Sequence, residues 1–150
     1  MDEFKEITAN YVIDAIGDAI RNEFTSEEIK AVYKDKVPQN FLKPCICVLE
    51  VSAPYEPMLN ELGHFRYSYD LLIHKDDNIY SFMRELTLRL TGCLQWIQVE
   101  EGRKLRGRDI EAFVKEDIGH FMISYNVMTQ LKTDSYPLIE DIERQNTLKK

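Results

Sequence analysis

One strand-length segment does most to restrict the folds open to this chain. From Phe65 to His74, Phe65, Tyr67, Tyr69, Leu71 and Ile73 fall on one side, while Arg66, Ser68, Asp70 and His74 fall on the other with Leu72. Side chains along a strand alternate between faces, so this pattern predicts a strand with one buried face and one wet face. An amphipathic helix and two further strands follow it, ending in His120-Phe121-Met122-Ile123-Ser124-Tyr125-Asn126-Val127. That order of elements predicts one small α+β domain, mainly antiparallel sheet packed by an N-terminal and a central helix.

The remaining elements fit around that segment. Between residues 3 and 22, Phe4, Ile7, Tyr11, Val12, Ala15, Ile16, Ala19 and Ile20 recur at spacings of three and four, opposite Glu6, Asn10, Asp14, Asp18 and Arg21. This predicts a helix with one buried face, its acidic start and Arg21 matched to the helix dipole. Ile29 to Tyr33 reads as a short strand, ended by Lys36-Val37-Pro38. Cys45 to Val51 is a nearly continuous apolar run, as expected of a central strand covered on both faces. Ser52 to Gly63 reads as a loop with two prolines.

Asp76-Asp77-Asn78 supplies a turn and N-cap for a helix whose stripe is Ile79, Phe82, Met83, Leu86, Leu90, Cys93 and Leu94. Trp96 and Ile97 lie just past it, before a charged segment from Glu100 to Asp109. Ile110 to Lys115 and Phe121 to Leu131 read as a hairpin turning at Asp117-Ile118-Gly119. Residues 132–150 carry little apolar content beyond Tyr136, Leu138, Ile139 and Ile142. They form an extension, with a short helix from Leu138 to Asn146, that is expected to become ordered on assembly.

Composition bounds the function. At 150 residues, folding buries roughly two-thirds of the surface of the unfolded chain, enough for one self-sufficient core. A net charge of −7 argues against broad nucleic-acid binding, which draws its affinity from Lys and Arg on phosphates. No apolar run approaches the ~20 residues of a membrane span, and the acidic start lacks a signal-peptide pattern, so a cytoplasmic protein is expected. Three cysteines fit a reducing compartment. Cys45 and Cys47 share a strand face, and without a second Cys/His pair they read as reduced, half-buried strand residues, not zinc ligands.

The search for chemistry is mostly negative. There is no G-x-S-x-G turn and no phosphate-cradling glycine pattern. Asp70 and His74 share a face but stand roughly 13 Å apart along a strand, and Glu111 and Glu116 make no better carboxylate pair. No catalytic, metal-binding or cofactor-binding residue is assigned. Arg103, Lys104, Arg106 and Arg108 concentrate positive charge in an otherwise acidic chain. Such a cluster can steer an acidic partner surface, or merely solvate a strand edge.

Several ordered motifs carry a family resemblance. Phe41-Leu42-Lys43-Pro44-Cys45, then Gly63 to Leu71, the central helix, and the closing Ile118-Gly119-His120-Phe121-Met122-Ile123-Ser124-Tyr125 together resemble the tail terminators of long-tailed phages and phage-derived tail particles. The resemblance spans residues 3–131; the chain departs from the family pattern in placing Ile118-Gly119 directly before His120. It implies a structural virion protein forming a hexameric ring on the head-proximal end of the tail tube. That ring would end tube polymerisation and meet the neck protein and, in sheathed tails, the sheath protein, with DNA passing through and no cofactor. On this reading Ser52–Gly63, with Tyr55, Glu56 and Glu61, and Glu100–Asp109, with the basic cluster, are the expected docking segments. A neck or connector protein of the same particle is one rival. A small-molecule-binding or enzymatic domain, with its pocket between the aromatic strand and the helices, is another.

Overall fold

The structure is a computed structural model describing residues 7–100 and 102–130. In chain order these form α1 (Ala9–Glu23), β1 (Ala31–Lys34), β2 (Cys45–Ser52), β3 (Tyr55–Pro57), β4 (Leu62–His74), α2 (Ile79–Leu94), β5 (Trp96–Glu100), β6 (Arg103–Lys115) and β7 (Ile118–Gln130). The α+β class is as expected. The expected helix from Leu138 to Asn146 and the whole 132–150 extension lie outside the described residues.

The seven strands run in the order β1-β2-β4-β7-β6-β5, with β3 pairing on β4. The pairings are mainly antiparallel, as expected, but β1 and β2 are parallel, which makes the sheet mixed. The segment 35–44 makes the crossover that a parallel pair requires. It lies over the sheet face opposite the helices, where the Leu42 amide donates to the Tyr33 hydroxyl at 3.0 Å and the Phe41 ring meets His74 at 4.9 Å. This explains a correction. Cys45 and Cys47 are fully buried, not half-buried, because they share the face of His74 and Leu72, their cross-strand partners, beneath that crossover. Burial pushes the Cys45 thiol up to about 11 and raises Cys47 as well.

The core lies on the helical face. Tyr67, Tyr69, Leu71 and Ile73 of β4 are buried there, beside Ile46 and Val48 of β2 and Phe121, Ile123, Tyr125 and Val127 of β7. Their register is continuous, Leu71 facing Phe121 and Tyr69 facing Ile123. Helix α2 contributes Ile79, Met83, Leu86, Leu90 and Leu94, and α1 contributes Val12, Ile13, Ile16 and Ile20. The space between the aromatic strand and the helices is therefore packed core, not a ligand pocket.

The helix starts differ from expectation. Helix α1 begins at Ala9 behind Thr8 and has no acid in its first turn; residues 1–6 are outside the described range. Asn78 does precede α2, but in the left-handed region (φ 54°) and without a side-chain cap bond. Asp76 and Asp77 instead meet Lys43 at 3.1 Å and Lys75 at 3.0 Å.

Where α2 ends, it rests on bare backbone. A Cβ on Gly107 would stand 2.5 Å from Ile123 Cδ1 and 2.9 Å from the Leu94 carbonyl oxygen. With glycine there, the Gly107 amide donates to the Gln95 carbonyl at 2.7 Å, and the Tyr125 hydroxyl donates to the Leu94 carbonyl at 2.6 Å. The last strands are thus bolted to the end of α2.

The β6–β7 turn is shifted from the expected Asp117-Ile118-Gly119. Its two loop residues are Glu116 (φ 53°) and Asp117 (φ 63°), and Ile118 already pairs with Lys115. Two successive left-handed residues make the hairpin turn whose twist suits antiparallel strands, a turn that Asn-Gly fills with least strain. Converting Glu116 to Asn and Asp117 to Gly should therefore stabilise the fold by roughly 0.5–1 kcal/mol, read as a higher urea midpoint at unchanged slope. A lower midpoint would contradict this assignment of strain.

Candidate docking interface

Register places both expected docking segments at one end of the sheet. Leu62 of β4 faces Gln130 of β7, while β6 meets β7 only from Gly107 onward, facing Tyr125. Residues 103–106 of β6 thus project toward the end where β4 begins, and there they pair with β5. At the same end, β3 pairs with Gly63 to Phe65 on the opposite side of β4. Strands β4 and β7 separate the two segments, a span of three strand spacings or about 14 Å along the sheet.

The basic segment is a strand, not a loop. Lys104, Arg106 and Arg108 are exposed and alternate with Leu105 and Gly107. Gly107 faces the core residue Tyr125 across the ladder, and Arg108 faces Ser124, so the three cations line the face opposite the core. Arg103 stands apart from them, half-buried and 3.7 Å from Glu100. A register shift between Arg108 and Glu111 follows, with Asp109 in a left-handed conformation (φ 55°). Asp109 pairs with Arg66 of β4. The Arg106 guanidinium lies 5.7 Å from the Trp96 ring centroid, and Trp96 is 54% exposed. Sequence reasoning passed over both Arg66 and Trp96. Their alternation with Tyr67 and Ile97 was the signal that each points away from the core.

Across the sheet, the three residues expected from Ser52–Gly63 separate by role. Tyr55 is half-buried and its ring meets Phe65 at 4.8 Å, which in turn stacks on Tyr67 at 5.4 Å. It also lies across Gly63, where an added Cβ would fall 2.0 Å from the tyrosine oxygen. Tyr55 is therefore chiefly a packing residue, held by a glycine that leaves room for it. Glu56 is exposed and lies 3.5 Å from His64, its cross-strand partner. Glu61 is half-buried in the left-handed turn with Asn60, closed by the Met58 amide donating to Leu62 at 2.7 Å. The apolar tip of that turn was not anticipated: Leu59 is 84% exposed and Met58 is exposed beside it. An apolar pair between Pro57 and Asn60, with no strand or helix period to absorb it, is the sequence signal.

The remaining polar groups are structural in arrangement. Asp70 does not meet His74; its Oδ2 lies 2.9 Å from Nδ1 of His120, whose ring stacks on Phe113 at 4.7 Å. Ser68 and Ser124 bond each other at 2.7 Å, so the hydroxyls on this face engage one another instead of that imidazole. The His74 imidazole is disfavoured in its charged form, first by burial and then by Lys43 and His120. Among the described residues no three His, Cys, Asp or Glu gather to hold a metal. A groove of about 370 Å³ runs between the Glu27–Ile29 turn and α2. Its Arg89 is committed to Glu23 at 3.1 Å and Glu28 at 2.6 Å, and the groove borders neither docking segment. The Glu28 carboxyl is held down to about 2, chiefly by its bond from Arg89.

Two comparisons bear on this arrangement. A family model described as phage tail terminator protein matches residues 11–137, which includes every strand and both docking segments. No curated protein matches the chain.

Proposed function

Because the chain belongs to the phage tail terminator family, a family of tail structural proteins, we propose that it forms the ring that caps the head-proximal end of a tail tube. There it ends tube polymerisation and joins the tail to the neck. A ring closed by rotation needs a head-to-tail contact between two different patches of each subunit, and a hexamer is the state proposed. The observation that supports this most directly is the pair of segments at one end of the sheet. Glu56 and Glu61 lie on the β3 side, while Lys104, Arg106 and Arg108 lie on the β6 side. Rotating one subunit onto the next can set such patches of opposite sign against each other, which favours one register over others.

The remaining surface serves axial contacts. The exposed Met58–Leu59 tip suits insertion into a preformed hydrophobic recess on the last tube ring, where a small apolar anchor contributes most when fully desolvated. The neck protein, and the sheath protein in a contractile tail, meet the opposite side. The chain's net charge of −7 suits a bore that passes DNA without holding its phosphates; a basic bore in a ring structure would contradict that part. No cofactor or membrane enters the scheme.

Electron microscopy of tails assembled with and without the protein tests the function. Overlong, uncapped tubes in its absence, restored to one length on adding it back, are the expected result. Tubes of normal length without it would overturn the reading. Density for it on the neck side only, away from the last tube ring, would reassign it to the neck.

A further inference from the structure

We propose that the bare edge of β6, residues 111–115, takes strand β1 of a second copy as its next strand, so that neighbouring subunits share one continuous sheet. The contact rests on the ring proposed above and supplies its backbone part. Among the described residues, β5 pairs with β6 only over residues 103–106, whereas residues 111–115 pair with β7 alone. Their outer side therefore presents backbone N–H and C=O groups to which no strand of the same subunit pairs, and such an edge is a template for another strand. The register shift between Arg108 and Glu111 bounds this stretch at one end and the β6–β7 turn bounds it at the other. The space suits a short strand. At the opposite edge of the sheet β1, four residues long, pairs with β2 alone.

Two edges of one sheet can close a ring when their heights, directions and faces agree, and here all three do. Followed from partner to partner, Val32 leads through Ile46, Ile73 and Gly119 to Val114, and Lys34 leads through Val48, Leu71 and Phe121 to Ala112. The two edges thus lie at one height. Strand β1 runs with β2, and three antiparallel steps lead from β2 to β6, so β1 and β6 run in opposite directions. Rotation about an axis along the strands preserves direction and brings the edges together antiparallel. Val32 and Val114 both pack against the core from the helix face. Tyr33 and Phe113 both lie on the other face, the first receiving the Leu42 amide and the second stacked on His120. At this register each face of the new pair sets like against like.

The outlines of the two edges agree as well. On one side β1 stands a strand further out than β3, which pairs directly with β4; on the other, β5 stands a strand further out than the bare part of β6. The steps are complementary. A copy rotated onto the next sets β1 into the recess beside β5, and the same rotation brings its β3 side toward the start of β6, the sense in which the acidic and basic patches oppose each other. Backbone pairing fixes the register that charge alone would only favour.

Cysteine pairs test the contact in the full-length protein assembled on tail tubes. Partners across an antiparallel pair stand roughly 4.5–5.5 Å apart at Cα, within the range a disulfide spans. Two mild double variants are Lys34→Cys with Ala112→Cys, and Val32→Cys with Val114→Cys; the parent protein, whose Cys45 and Cys47 are buried, gives the background. Mild oxidation of either double variant on capped tubes should move most of the monomer band into a ladder of covalent oligomers on a non-reducing gel. Mixing Lys34→Cys subunits with Ala112→Cys subunits should stop the ladder at dimers, and neither single variant alone should cross-link. No cross-link in either double variant on tubes capped at normal length would overturn the strand contact and leave the ring standing. A single variant that cross-links to itself would also overturn it, since like edges would then meet. Tubes left uncapped by the parent protein would remove the ring reading, and this contact with it.

Discussion

Replacing Tyr125 with Ala should cost about 3–5 kcal/mol of stability, the range for removing a large buried aromatic side chain. Tyr125 is fully buried in β7, with Tyr67 of β4 opposite it on one side and Gly107 of β6 on the other. Its ring meets Tyr69 at 6.5 Å, and its hydroxyl donates to the Leu94 carbonyl at the end of α2. Truncation therefore opens a cavity at the junction of helix and sheet and also removes a buried hydrogen bond. For a chain of this size each kcal/mol moves the thermal midpoint by about 2–4 °C, so a fall of roughly 6–20 °C is expected. Tyr125→Phe separates the two effects: it keeps the ring and loses only the bond, for about 1–3 kcal/mol if the carbonyl is left unpaired. An alanine variant melting with the parent protein would mean that the last strands are not fastened to α2 in this way.

That junction also shows which parts of the fold could be read from sequence. The face of Tyr67, Tyr69, Leu71 and Ile73 was legible because each strand position obeys a period of two, and the span of α2 from Ile79 to Leu94 because its stripe obeys the helical period. The start of β6 was not. Its inward positions are Leu105 and Gly107, and a glycine carries no hydropathy signal; Gly107 is inward only because Leu94 and Ile123 leave no space for a side chain. Strand β3 was hidden by Pro54 and Pro57, which an edge strand tolerates. The parallel pairing of β1 with β2 depends on a crossover whose path no local pattern records. Asp70 illustrates the same limit at the level of a contact. The histidine sharing its strand face in sequence is His74, but register brings His120 of β7 to it instead.

The candidate interface divides along the same line. That Lys104, Arg106 and Arg108 would matter followed from charge alone, yet their arrangement on one face follows from strand geometry, with successive cations about 7 Å apart. Arg103 and Tyr55 were grouped with the docking residues by position, and the fold gives them other tasks, one beside Glu100 and the other over Gly63. Met58, Leu59 and Trp96 escaped notice because exposed apolar residues look like core until a structure shows that nothing in the described fold covers them.

Reversing the three aligned cations together, Lys104→Glu, Arg106→Glu and Arg108→Glu, should abolish assembly onto tail tubes at low salt while leaving the subunit folded. Surface charges of this kind contribute little to folding, within about 0.5 kcal/mol each at exposed sites. Their effect on association is larger, since complementary charge raises encounter rates by one to three orders of magnitude (roughly 10–10³-fold) and like charges set face to face oppose docking. Each reversal changes the charge by two, so the triple variant would turn three positive charges into three negative ones against Glu56 and Glu61 of the next copy. Added salt distinguishes this cause from damage to the fold. At about 1 M salt the screening length falls to about 3 Å, so the defect should shrink as salt rises, whereas a misfolded subunit would stay inactive. Adding Arg103→Glu to the set should change little, because Arg103 is half-buried beside Glu100. Assembly of the triple variant at the rate of the parent protein, at low salt, would remove this strand from the interface.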